Sequence, residues 1–174
     1  MEPRAISYLY TLATVSITFV GFSALLIVMR QAKGRSLTNY DTYFTISFIQ
    51  IGFIVAASSL IPPLLALYES SLDTVWRTSS IVVAIPIFLF VSRVPARRHA
   101  ATGMPVPVFV AALLALQATA AAVLCLNGLL GLPHLGATYA AAVTVVLFAS
   151  GVAYLMALTV LLPEFGMETG PPRN

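Results

Sequence analysis

Charge is scarce in this chain, and what there is avoids the middle of every long apolar run. The 174 residues hold nine Lys and Arg, six Asp and Glu and two His. Proton relays, voltage sensors and ion-coupled pumps depend on ionisable groups inside the membrane, so that class is disfavoured. A single cysteine, Cys125, excludes an intrachain disulfide. The two histidines, His99 and His134, fall in loops expected on opposite faces, which leaves no ligand set for a metal and no bis-histidine pair for haem. No G-x-G-x-x-G, P-loop or G-x-S-x-G pattern occurs. Ser47, Ser58 and Ser59 have no histidine to activate them. The expectation is a non-enzyme with no metal and no cofactor.

What the chain has instead is apolar length. Hydrophobic residues make up 59% and charged residues 9%, against roughly 25% charged in an ordinary soluble domain. The composition is that of an all-α, polytopic transmembrane helical bundle, with one integral-membrane domain over 1–174 and no soluble domain. Five spans are expected: Ala5 to Met29, Thr42 to Leu67, Val75 to Val94, Val106 to Leu130 and Ala137 to Leu162. Span 1 is too long for the apolar stretch of a secretory signal and is read as retained. Thr38 and Asp41 form a Thr-x-x-Asp start signal for span 2, and Pro62-Pro63 is expected to kink or end it. Pro163 stops span 5. Span 3 carries Pro86 at its middle, which leaves open a rival four-span topology with a re-entrant third segment.

The loop charges set an orientation. Arg30, Lys33, Arg35, Arg93, Arg97 and Arg98 lie on one face, against Arg4 and Arg77 on the other. The positive-inside rule then puts the N-terminus outside and the C-terminus inside. Glu69 and Asp73 join Arg77 on the outer face. Because the positive residues are confined to short loops, the net charge of +3 indicates topology and lipid contact and not a nucleic-acid partner. The expected location is the bacterial inner membrane.

The polar residues within spans are mostly hydroxyls. On span 1, Ser7, Thr11, Thr14, Thr18 and Gly21 recur at intervals of 4, 3, 4 and 3 and share one face. Such a stripe can line a wet path, or it can bond back to its own helix and let a neighbour approach. Gln50 of span 2 must meet a partner in hydrocarbon, and Gln117 of span 4 is the natural candidate, either as an interhelical amide pair or across a path. Ala111, Ala115, Ala118, Ala122 and Cys125 on span 4, and Ala149, Ala153 and Ala157 on span 5, form small-residue rows suited to helix packing within the chain or between copies. The functional expectation is a homo-oligomeric channel or pore for ions or small solutes, with Ser7, Thr11, Thr14, Thr18 and Gln50 near its axis. The alternative is a non-catalytic accessory or scaffold subunit docked on another membrane protein. The partners are the lipid bilayer, further copies of the chain, or that second protein.

Overall fold

A computed structural model describes residues 3–32, 38–68 and 71–161. Lys33, Arg35, Glu69, Pro163 and the tail from Glu164 lie outside the described residues, as do the side chains of Arg30 and Asp41. Among the described residues there are five helices: α1 (Pro3–Ala32), α2 (Asn39–Leu65), α3 (Leu72–Thr102), α4 (Val108–Leu130) and α5 (Leu135–Leu161). All five are long and apolar enough to cross a membrane. Even α4, the shortest at 23 residues, is about 35 Å long.

The third helix corrects two expectations. It is continuous through Pro86, so the re-entrant alternative falls away. It also runs eight residues beyond Val94, so that Pro95, Arg97, Arg98 and His99 belong to helix and not to loop. Each proline costs one backbone bond, yet the remaining ladder carries the helix on. The stop comes at Gly103, whose φ of 67° is a left-handed cap and whose N–H donates to the His99 carbonyl at 2.8 Å. Placing basic side chains in the final turns is also favourable, because they face the negative end of the helix dipole. Similarly, α2 continues through Pro62 and Pro63 and ends at Leu65, two residues short of the expected bound.

Helices α2 to α5 form a four-helix bundle in which α3 lies between α2 and α4, and α5 closes against α4 and α2. Helix α1 packs on α2 and along the edge of α5. The core runs through Ile51 and Val55 of α2, Val83, Ala84 and Ile87 of α3, Leu124 of α4, and Val143 and Val146 of α5. In lipid this packing gains little from water exclusion, so close backbone approach matters more. Two glycines supply it. A Cβ on Gly52 would collide with Val20 of α1, and one on Gly128 would sit 2.9 Å from the Arg77 carbonyl of α3.

The two ends of the bundle differ. At the end holding the start of α1, polar side chains cross from helix to helix. Arg77 of α3 donates to the carbonyls of Gly128 and Leu129 at 3.0 and 2.8 Å, filling acceptors that the last turn of α4 leaves open. Asn127 of α4 donates to Ser80 of α3 at 2.9 Å and to the Leu135 carbonyl at 3.1 Å. Tyr139 of α5 reaches the Ser58 carbonyl of α2, and Tyr8 of α1 shares a 2.7 Å hydrogen bond with Thr144 of α5. This is the locked end. The opposite end, where α3 finishes in Arg97, Arg98 and His99, is the basic end.

Candidate functional site

The basic end of the bundle is not filled. A cavity of about 320 Å³ opens between α2, α3, α4 and α5, near the lower bound of about 300 Å³ for small-molecule sites. Its walls are Phe44, Phe48 and Ile51 of α2, Phe90 and Val94 of α3, Val110, Leu113 and Leu114 of α4, and Ala153, Met156 and Ala157 of α5. The α2 wall is stiffened by ring contacts. Phe44 and Phe48 lie with centroids 4.4 Å apart, and Phe48 meets Tyr154 of α5 edge-on at 5.2 Å.

Polar groups sit at the two ends of this apolar passage. Toward the mouth are Tyr40, Tyr43 and Arg98, with Ser47 one turn further in on α2 than Tyr43. The Arg98 guanidinium stands 6.0 Å from the Tyr40 ring centroid, and its buried Nε has no hydrogen-bond partner among the described residues. At the inner end are Gln117 and Ser150. Gln117 is only 4% exposed; its Nε2 donates to Ser150 Oγ at 3.0 Å, and that hydroxyl donates in turn to the Val146 carbonyl at 2.7 Å. Its Oε1 is buried without a partner among the described residues. From Val108 at the start of α4 to Gln117 the helix rises about 14 Å.

Gln50 and Gln117 do not pair. Arg97 donates to Gln50 Oε1 at 2.6 Å, because the Arg97 side chain leans back toward the N-terminus of α3 and reaches the level of Gln50. Gln117 faces the cavity from another helix. The ionisable group that the third span was expected to leave in a loop therefore meets Gln50 along the α2–α3 seam, on the outside of the bundle.

The other expected residues divide by face. Ser7, Thr11, Thr14, Thr18 and Gly21 are all exposed, so the α1 stripe points away from the bundle. Thr11, Thr14 and Thr18 each donate to the carbonyl four residues earlier, at 2.9 Å. The stripe and Gln50 are not brought together within one chain: α1 meets α2 at Gly52, two positions and about 200° round the helix from Gln50. The face of α1 that packs carries Ala13, Ser16, Val20 and Ser23. On α4, Ala111, Ala115, Ala122 and Cys125 are exposed and Ala118 half-buried, while the buried face is Gln117, Ala120, Ala121, Leu124, Asn127 and Gly128. Only the α5 row packs within the chain, with Ala149 and Ala157 buried and Ala153 partly so. His99 and His134 stand at opposite ends of the bundle, one in the last turn of α3 and one just before α5.

Arg98, Ser150 and the aromatic wall are the residues that sequence reasoning passes over. Arg98 reads as a topology charge, although its place four residues after Val94, itself four after Phe90, puts all three on one face of a helix. The recurrence of Tyr40, Phe44 and Phe48 at i, i+4 and i+8 was the available signal on α2. Comparison finds no protein family whose profile matches the chain, no similar curated protein and no similar solved structure.

Proposed function

We propose that this chain is a non-catalytic integral membrane protein that binds a small amphipathic molecule inside its helical bundle. The observation that carries this reading is the cavity between α2, α3, α4 and α5, apolar along its walls and polar at both ends. An apolar pocket with a few convergent polar groups is the form that ligand sites take. Four packed helices maintain it, so it does not depend on a loop. The test is native mass spectrometry of the full chain in nanodiscs with methyl laurate as the probe. One probe retained per chain is expected, and Ala153→Trp, which fills the passage, is expected to abolish it. Retention unaffected by that substitution would exclude the cavity as the site.

A second reading, the homo-oligomeric channel or pore, draws support from the outward faces. The Ser7 to Gly21 stripe on α1 and the Ala111 to Cys125 row on α4 both lie on the surface of the single chain, with small side chains that allow another helix to approach closely. An accessory subunit would use the same faces on a different partner. Native mass spectrometry without probe separates the two, since a single closed oligomer favours the pore and a monomer favours the accessory role. In either case the basic residues favour an inner-membrane protein with the basic end toward the cytoplasm.

A further inference from the structure

The two ends of the cavity ask for different things, and together they describe one kind of molecule. At the mouth, Arg98 is permanently charged. Among the described residues no acidic side chain lines the cavity, and the Nε of Arg98 is withdrawn from solvent without a partner among them. An Arg Nε and the neighbouring amino group form one edge of the guanidinium fork, whose geometry matches the two oxygens of a carboxylate. At the inner end the direction of hydrogen bonding is fixed. The Ser150 proton is committed to the Val146 carbonyl, so Ser150 Oγ accepts from Gln117 Nε2 and the amide oxygen of Gln117 is turned to the unpaired side. That oxygen can only accept, so it matches a hydroxyl on the ligand.

Between the two ends lies an apolar passage walled by Phe44, Phe48, Val94 and Leu113. Its volume of about 320 Å³ suits a single chain and is too small for a two-chain phospholipid. We propose that the cavity is built for a hydroxy fatty acid, its carboxylate on Arg98, its chain along the aromatic wall and its distal hydroxyl donating to Gln117 Oε1. This rests on the reading that the cavity binds an amphipath at all, and adds which groups select it.

The experiment uses the full chain in nanodiscs and three probes of one chain length: laurate, ω-hydroxylaurate and methyl laurate. Affinities are read by native mass spectrometry titration. The wild type is expected to rank ω-hydroxylaurate above laurate and laurate above methyl laurate. Arg98→Gln should weaken both acids about tenfold while leaving methyl laurate unchanged, which also reports that the variant is folded. Arg98→Lys, which keeps the charge but not the fork, should retain part of the preference for acid over ester. Gln117→Leu should erase the advantage of the hydroxylated acid, about fivefold, and leave laurate unaffected. Equal binding of acid and ester, unchanged in Arg98→Gln, overturns the carboxylate assignment while leaving the cavity as a site. A hydroxyl preference that persists in Gln117→Leu overturns the inner contact. If none of the three probes is retained at one per chain, the broader reading of the cavity fails with it.

Discussion

The hydroxyl of Tyr139 on α5 donates to the carbonyl of Ser58 on α2, and that carbonyl is free to accept because Pro62, four residues later, has no N–H to give it. Both Tyr139 and Pro62 are fully buried. A helix break tolerated in α2 has thus become an attachment point for α5.

Tyr139→Phe is expected to lower stability by about 1 kcal/mol, in the range of interhelical hydrogen bonds in bilayers. Adding Pro62→Ala returns an N–H to the Ser58 carbonyl. The effect of Tyr139→Phe measured in the Pro62→Ala background should therefore be smaller than in the wild type. Reversible unfolding in nanodiscs measures the cycle, and strict additivity would show that the two residues do not share this carbonyl.

Gly136 and Gly21 provide a paired test of packing. A Cβ on Gly136 would lie 2.8 Å from Trp76 Cε2, against a rigid ring, whereas one on Gly21 would meet nothing within 4 Å. Gly136→Ala should destabilise by about 1–3 kcal/mol, the usual cost of overpacking. Gly21→Ala should be neutral or slightly stabilising. Thermal melting of both variants, side by side, checks the close α3–α5 contact at Trp76, and equal melting would refute it.

Removing the partner of Arg97 should cost more than removing both members of the pair. Gln50→Leu leaves the guanidinium without its 2.6 Å acceptor and is expected to destabilise by about 1–2 kcal/mol. The double variant Gln50→Leu with Arg97→Leu should recover part of that loss, because the uncompensated charge is gone. A double variant less stable than Gln50→Leu alone would argue that Arg97 is supported by other groups.

The outward faces can be separated from the fold itself. Ala115→Ile on α4 adds bulk where the single chain has only surface, so melting of the monomer should not change while any oligomer seen by native mass spectrometry dissociates. Thr14→Leu removes a hydroxyl that donates to the Tyr10 carbonyl of its own helix. It should leave assembly intact and alter liposome flux only if the stripe faces a pore. Unchanged flux would remove α1 from any conducting path.

The five spans were legible because apolar runs of this length have few other uses. Helix ends were less so. Pro95 followed by Arg97, Arg98 and His99 looks like a loop to any reading that treats proline and charge as stops, yet helical hydrogen bonding and the favourable placement of cations at a C-terminus carry α3 on to Gly103. Which face packs was least legible. In a soluble helix the polar face marks the outside, but in lipid both sides of α1 and α4 are apolar, and threonines that bond back to their own carbonyls lose their value as pointers. The partners of Gln50 and Gln117 depended on how far α3 is displaced along α2 and α5 along α4, quantities that no sequence spacing contains. The cavity, too, arises only when four helices are brought together.

The Arg77 clasp makes a self-contained unit of α3 and α4. Helices α3 and α4 are joined covalently by 103–107 at one end, and at the other by the hydrogen bonds from Arg77 to Gly128 and Leu129. The hairpin is thereby tied at both ends without help from the rest of the chain. The two carbonyls that the last turn of α4 leaves open are thus satisfied within the hairpin itself. The same hairpin presents Asn127 to α5, whose first residue, Leu135, accepts the amide N–H, so that a unit of two helices carries the docking group for a third.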